Sequence, residues 1–298
     1  MPYIEHRYGR THYQTRGSKR SSGLPIVCLH GGPGGHSRYM TDLFQLSDER
    51  RVFLYDQIGG GRSSATKPKR WTIPAFVAEL TLLVNAWGLE QFHLFGGSWG
   101  TTLALEYYLS GRKSARKSGR NNQRVASLLF QSPMFSTSDW EKDANKLIRG
   151  LPATERKIIR YCHEIGATDS KVYKDAMTAY YAKHVCRNKA KAKRSAQTKN
   201  PNGNKIYEYM WGVSEFHATG TLKNYSNVRS LRHIKCPTLF VCGEYDEAQP
   251  ATARRYARAV PSAQFIQIEN ASHAILAEKP KQLVKTIRSF LARIERDS

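Results

Sequence analysis

Short apolar runs alternate with longer amphipathic stretches through the first half of the chain. Pro25–Leu29, Arg51–Tyr55, Gln91–Phe95 and Val125–Phe130 are compact and mostly apolar, and glycine-rich turns follow the first three. Strands buried on both faces of a parallel sheet have this appearance. Between them, Ile73–Trp87 places Phe76, Val77, Leu80, Leu83, Val84 and Trp87 at helical spacing, and Thr101–Leu109 reads as a second helix. Strand, turn, helix and strand in succession predict a parallel sheet with right-handed crossovers. From about Met134 to His233 the strand signal lapses and the helical stretches Ser138–Arg149, Thr154–Ile165 and Lys171–Val185 take over. The alternation resumes with a strand at Pro237–Cys242, a helix at Ala251–Ala259, a strand at Gln264–Ile268 and an amphipathic helix at Pro280–Ile294. The pattern predicts an α/β body formed by residues 1–133 and 236–298, split by a helical cap at 134–235. No internal repeat is evident.

Composition narrows the class. The chain has 298 residues, 40% of them hydrophobic, which is enough to build a large core. No apolar stretch approaches the roughly 20 residues that span a bilayer. Residues 1–20 are polar and mixed in charge, without the apolar region of a secretory signal. Five scattered cysteines, with no CxxC pair, fit a reduced cytoplasmic setting better than a disulfide framework. No zinc pattern is present, and no metal or organic cofactor is expected.

A formal net charge of +23 changes the picture, because such a field favours anionic partners. Much of it sits in two segments, 111–124 and 187–205, rich in Lys, Arg, Ser, Asn and Gly. These read as solvated surface loops or helix ends. They lack the interleaved aromatics on which nucleic-acid bases stack. A nucleic-acid-binding protein on a degenerate enzyme scaffold is therefore kept as the rival of another class.

The candidate chemistry lies at the ends of the predicted strands. Gly96-Gly97-Ser98-Trp99-Gly100 follows a strand and precedes a helix, the context in which G-x-S-x-G forms a nucleophile turn. Glycines two residues to either side let neighbouring backbone approach while the Ser98 hydroxyl projects above the sheet. His30-Gly-Gly-Pro-Gly-Gly35 also follows a strand. There the backbone N–H of Gly32, together with that of Trp99, would form an oxyanion hole. His30 itself reads as structural. Gly243-Glu-Tyr-Asp246 follows the late strand and Asn270-Ala-Ser-His273 the last one. The order Ser98, Asp246, His273 is that expected of a serine hydrolase with the α/β-hydrolase fold. Asp246 would orient His273, and His273 would serve as the general base for Ser98.

On these residues the chain resembles the proline iminopeptidase (prolyl aminopeptidase) family of α/β hydrolases, the S33 peptidases. The likeness extends over nearly the whole chain. It is closest at His30-Gly-Gly-Pro-Gly, Asp56-Gln-Ile-Gly-Gly-Gly-Arg-Ser63, Gly96–Leu105 and Gly243-Glu-Tyr-Asp246. The chain departs at Gly60, where many members carry cysteine, and at Val213, where proline is common. The resemblance implies that two acidic side chains bind the substrate's free α-amino group, and these map to Glu215 and Glu247. It implies release of an N-terminal residue, proline or a small or hydrophobic one, from short peptides or amino-acid amides through an acyl-enzyme. Amino-acid amidase and carboxylesterase activity are the alternatives within the same fold. No membrane partner is expected, nucleic acid is disfavoured despite the charge, and the oligomeric state stays open.

Overall fold

The computed structural model describes residues 2–118, 124–196 and 200–296. Eight strands among these residues form one sheet: β1 (Tyr3–His6), β2 (Gly9–Arg16), β3 (Ile26–Leu29), β4 (Val52–Tyr55), β5 (Phe92–Gly97), β6 (Val125–Gln131), β7 (Thr238–Gly243) and β8 (Ala263–Ile268). Their order is β1-β2-β4-β3-β5-β6-β7-β8. From β4 to β8 every neighbouring pair is parallel, whereas β1–β2 and β2–β4 are antiparallel.

The apolar runs of the sequence are strands whose alternate residues feed two separate cores. Val27, Leu29, Phe53, Tyr55, Leu94, Leu128 and Phe130 point into one, beside the helices α1 (Ile73–Ala86) and α2 (Trp99–Ser118). Ile26, Cys28, Val52, Leu54, Phe95 and Leu129 point into the other. A 3-10 helix (Ser37–Leu46) and the amphipathic C-terminal helix Pro280–Arg296 cover that second face. Burying each such side chain stabilises the fold by about 1.5–3 kcal/mol, so both faces must be covered. The strand tips of the parallel array remain free to carry polar loops.

The N-terminal hairpin β1–β2 has no counterpart in the sequence reading. Its buried positions are polar: Thr11 and His12 are 1% and 2% exposed. Thr11 Oγ1 donates to Glu79 Oε1 (2.5 Å) and the His12 N–H donates to Ser63 Oγ (2.9 Å). Hydrogen-bonded polar groups replace the apolar alternation that marks a half-buried strand.

Between β6 and β7 the described chain forms α3 (Thr137–Ile148), α4 (Ala153–Glu164), α5 (Lys171–Tyr180), a π-helical turn (Tyr181–Val185), α6 (Lys189–Ala196) and α7 (Pro201–Met210), and contains no strand. Ser136 and Ser170 cap α3 and α5 by accepting from the N–H groups of Asp139 and Tyr173. Helices α3–α5 have a hydrophobic cluster of their own, including Ile148, Ile159, Tyr173, Met177, Tyr180 and Phe216. Ile206 and Met210 of α7 instead join the core of the sheet. The expected single helix Lys171–Val185 is thus two pieces, an α-helix and a π-turn. After β7 come α8 (Pro250–Arg258), β8, the short α9 (Ile275–Glu278) and α10 (Pro280–Arg296).

The end of α10 is locked to the body. Glu295 accepts from both Nη atoms of buried Arg50 (2.6 and 3.0 Å) and from the Leu24 N–H (2.9 Å). It also lies 3.0 Å from His93 Nε2. None of the helices is long and apolar enough to cross a membrane among the described residues.

Candidate active site

Ser98 sits between β5 and α2 with a positive φ of 54°, a strained conformation for a residue with a side chain. The turn is over-determined. The Ser98 N–H donates to the Gln131 carbonyl (2.9 Å), and the Thr101 N–H and hydroxyl both donate to the Ser98 carbonyl (2.8 and 2.7 Å). A Cβ at Gly96 would lie 2.3 Å from the Gly100 oxygen, and one at Gly100 would lie 2.3 Å from the Leu29 oxygen. Both motif glycines are therefore steric requirements.

The glycine loop after β3 lies against this turn, since a Cβ at Gly31 would be 3.2 Å from Ser98 Cβ. His30 is fully buried. Its Nε2 accepts the Gln57 N–H (2.9 Å), so its proton is on Nδ1, which donates to the Gly31 carbonyl (2.7 Å). Burial lowers its pKa to about 4, and the ring is neutral and structural, as expected. The Gly31 N–H is occupied, donating to Tyr39 Oη at 2.8 Å.

The Asp56–Ser63 motif supports the same loop. The Gln57 amide donates to the His30 carbonyl while its oxygen accepts the Trp99 indole N–H, each at 2.9 Å. Asp56 accepts from the Ser37 N–H and hydroxyl (both 2.7 Å) and from the Arg62 N–H (2.9 Å). At Gly60 a Cβ would stand 2.4 Å from the Gly35 oxygen. The two loops are in closer backbone contact here than a side chain would allow.

Asp246, in the loop after β7, and His273, in the loop after β8, meet directly. Asp246 is fully buried, and His273 Nδ1 donates to its Oδ1 at 2.8 Å, leaving Nε2 as the ring's proton acceptor. Asp246 also accepts from the Ala248 N–H (2.9 Å), the Gly243 N–H (3.2 Å) and the Ser132 hydroxyl (2.6 Å). These donors fix the carboxylate in place. Gln131 links the halves, because its carbonyl receives the Ser98 N–H and its amide donates to the His273 carbonyl (3.2 Å). The Trp140 ring stands edge-on to the imidazole at 5.7 Å.

Glu215 and Glu247 belong to the same cluster. Glu247 is 3% exposed, its Oε1 is 3.8 Å from His273 Nδ1, and its Oε2 has no hydrogen-bond partner. Glu215 accepts from the Tyr207 hydroxyl at 2.6 Å. Burial, and then the neighbouring Glu215, push the Glu247 pKa well up. Tyr180 lies close enough to Glu247 to perturb it, but its hydroxyl is buried outside hydrogen-bonding geometry. Burial works against a charge on His273, yet Asp246, Glu247 and Glu215 outweigh it and raise its pKa to about 9. The result is a buried recess of carboxyl groups beside the imidazole, with one oxygen, Glu247 Oε2, left without a partner. Val213 is 52% exposed, so the departure from the relatives' proline falls at the surface.

Tyr39, Gln57, Gln131, Ser132 and Tyr207 were not singled out from the sequence. Only Gln57 had a signal, its place in the Asp56–Ser63 motif. The segment 187–205 needs correcting, because it is not simply solvated surface. Lys189, Lys191 and Lys193 are exposed on α6, but Asn200 Nδ2 donates to the Gly34 carbonyl (2.8 Å) and Gly203 abuts Gly34. Asn200 and Gly203 therefore pack on the glycine loop. In segment 111–124, residues 111–118 continue α2, and residues 119–123 lie outside the described residues. Among the described residues, no group of three or more His, Cys, Asp or Glu side chains is placed to hold a metal ion.

Comparison with known proteins agrees with this architecture. The family model for the alpha/beta hydrolase fold matches residues 25–280. The proline iminopeptidase of Heyndrickxia coagulans is 35% identical over 293 residues, covering 97% of each chain. That of Lactobacillus acidophilus is 30% identical over 298 residues, covering 98% of this chain and 96% of the relative. The crystal structure of the Mycobacterium smegmatis proline iminopeptidase superposes with a TM-score of 0.87 at 27% identity, over 99% of both chains. The chain belongs to the α/β-hydrolase family and, within it, to the group of the proline iminopeptidases.

Proposed function

We propose that the protein is a serine aminopeptidase that removes an N-terminal residue bearing a free α-amine from short peptides or amino-acid amides. The observation that carries this reading is the recess of Glu215 and Glu247 beside His273. A buried carboxylate oxygen without a partner is costly, and a substrate ammonium would satisfy it. The carbonyl next to that ammonium would then lie near the nucleophile.

In this reading Ser98 Oγ attacks the carbonyl and passes its proton to His273 Nε2, while Asp246 holds the Nδ1 proton. Two N–H groups stabilise the oxyanion. The Trp99 N–H opens α2 and has no acceptor within its helix. The Gly32 N–H is the loop donor next to Gly31, whose own N–H is taken by Tyr39. His273 returns the proton to the leaving amine, and water then hydrolyses the acyl-enzyme. Residues 134–235 act as the cap, supplying Glu215, and residues 1–133 and 236–298 form the catalytic body. A cytoplasmic setting belongs to the same reading, supported by the burial of Cys28, Cys162 and Cys242 away from one another's thiols.

The test is a panel of Pro-, Ala-, Leu- and Phe-naphthylamides beside an N-blocked analogue and a simple ester. Free-amine substrates should turn over, the N-blocked analogue should not, and Ser98→Ala should abolish all turnover while the protein stays folded. Equal cleavage of blocked and free substrates would refute the aminopeptidase reading.

A further inference from the structure

The π-helical turn at the end of α5 connects the insertion to the loops of Asp246 and His273. Its ring closes with the Cys186 N–H donating to the Tyr181 carbonyl at 2.9 Å. The last carbonyls of a helix have no acceptor role within it and must be satisfied elsewhere. Here they are satisfied by the loop after β8. The His273 N–H donates to the His184 carbonyl (3.0 Å) and the Ala274 N–H donates to the Val185 carbonyl (2.8 Å).

The side chain of His184 engages the other loop. The residue is 4% exposed, and its Nδ1 lies 2.8 Å from the Tyr245 carbonyl. An oxygen can only accept, so Nδ1 carries the proton and donates. Tyr245 directly precedes Asp246. One residue of the insertion therefore holds the acid loop with its ring and the base loop with its main chain. Neighbouring contacts fix the same clasp. Arg187 places its guanidinium 4.0 Å from the Tyr245 ring centroid, and its N–H donates to Glu278. Glu278 in turn accepts from the Ser272 N–H and hydroxyl (both 2.7 Å).

The clasp also reaches the glutamate recess. The Tyr180 ring packs 5.2 Å from His184 and 4.4 Å from Phe216, the residue after Glu215. Two turns further back, Tyr173 Oη lies 2.7 Å from Oγ of Ser214, the residue before Glu215. Helix α5 thus holds both sides of Glu215 and ends in the turn that holds His273.

We propose that His184 is a positioning residue for the Asp246–His273 pair, clasping both loops from the insertion and tying their alignment to the segment that carries Glu215. The inference rests on the aminopeptidase reading, in which His273 is the base. π-Turns of this kind tend to occur at functional sites, where one extra residue re-aims the backbone. Small misplacements of a catalytic group carry large kinetic costs.

The test compares three variants, each checked for an unchanged melting profile. His184→Leu keeps much of the volume and removes the donor to Tyr245. His184→Asn restores an N–H near the position of Nδ1. His184→Gln moves the donor by one methylene and serves if the leucine variant fails to fold. On Ala-naphthylamide, kcat should fall about ten-fold or more in the leucine and glutamine variants, with KM changed little, and should recover in the asparagine variant. The His273 Nδ1–H proton resonance, identified by its loss in His273→Ala, should shift or broaden in the two impaired variants. An unchanged kcat and resonance in His184→Leu or His184→Gln would overturn the proposal, as would an asparagine variant as impaired as the leucine one. Ser98→Ala and His273→Ala run alongside: turnover surviving in either would refute the catalytic reading, while the resonance would still report on the clasp.

Discussion

Ser98 holds a strained backbone at a half-buried position, and the residues that keep it there were only partly visible in the sequence. Ser98, Asp246 and His273, the triad of the proposed function, were named from the sequence because each follows a strand in a motif with recognisable spacing. Gln57, Gln131 and Ser132 were not, since their contacts span long sequence separations and their side-chain types are common. The glutamates differ again, being assigned by resemblance to a family. Glu215→Gln should lower kcat/KM for Ala-naphthylamide about 100-fold, equivalent to ~3 kcal/mol, and leave an uncharged ester nearly untouched. Steady-state kinetics on both substrates checks this, and equal losses would remove the amine-anchor role. In the proposed mechanism the recess also tunes His273, beside the larger effect of Asp246. Glu247 and Glu215 help raise the His273 pKa to about 9, and the base must be neutral to act. In the Glu215→Gln/Glu247→Gln double variant that support is gone, so the acidic limb of ester hydrolysis should move to lower pH. A pH–rate profile whose limb stays in place would show that the pair does not control His273.

Elements with a strong apolar period were found in the sequence to within a residue or two, including β3, β4, α1, α3 and α10. Elements without a strong apolar period were not, as the hairpin β1–β2, whose buried positions are polar, and the helix α7, which buries only Gly203, Ile206 and Met210, show. In α7 the informative residue is Gly203, whose role depends on a partner 169 positions away at Gly34, so no local pattern announces it. The segment 187–205 accordingly divides in two. Neutralising Lys189, Lys191 and Lys193 on exposed α6 should leave kcat within about two-fold, because surface charges at such positions contribute little. Gly203→Ala should be severe, since its Cβ would lie 2.0 Å from the Gly34 oxygen and must displace the glycine loop. Assays of the two variants side by side decide the matter, and a mild effect of Gly203→Ala would show that the loop tolerates the shift.

At the scale of the molecule, the +23 charge says more about the surface than about the site, where the carboxyl groups of Asp246, Glu247 and Glu215 surround His273. The ends of the fold meet at Glu295, which joins α10 to Leu24, Arg50 and His93. Against the burial that would raise it, hydrogen bonds from His93 and Arg50 hold the Glu295 pKa down to about 2. A carboxylate depressed in the folded state stabilises it fully above its ordinary value near 4.5 and loses that contribution as pH falls towards 2. Glu295→Gln should therefore lower stability by about 1–2 kcal/mol at neutral pH, less than for a fully buried pair. Its melting temperature should converge with the parent's between pH 4.5 and 2, and a constant gap would place the stabilisation elsewhere. The insertion leaves the sheet after β6 and re-enters at β7, its immediate neighbour, so the chain departs from and returns to adjacent points. Such a junction lets evolution lengthen, shorten or replace the intervening helices without rethreading the sheet. The clasp at His184 limits that freedom, because a transplanted cap would arrive without a matching grip on the loops of Asp246 and His273. Chimeras that exchange the cap together with those two loops should outperform chimeras that exchange the cap alone.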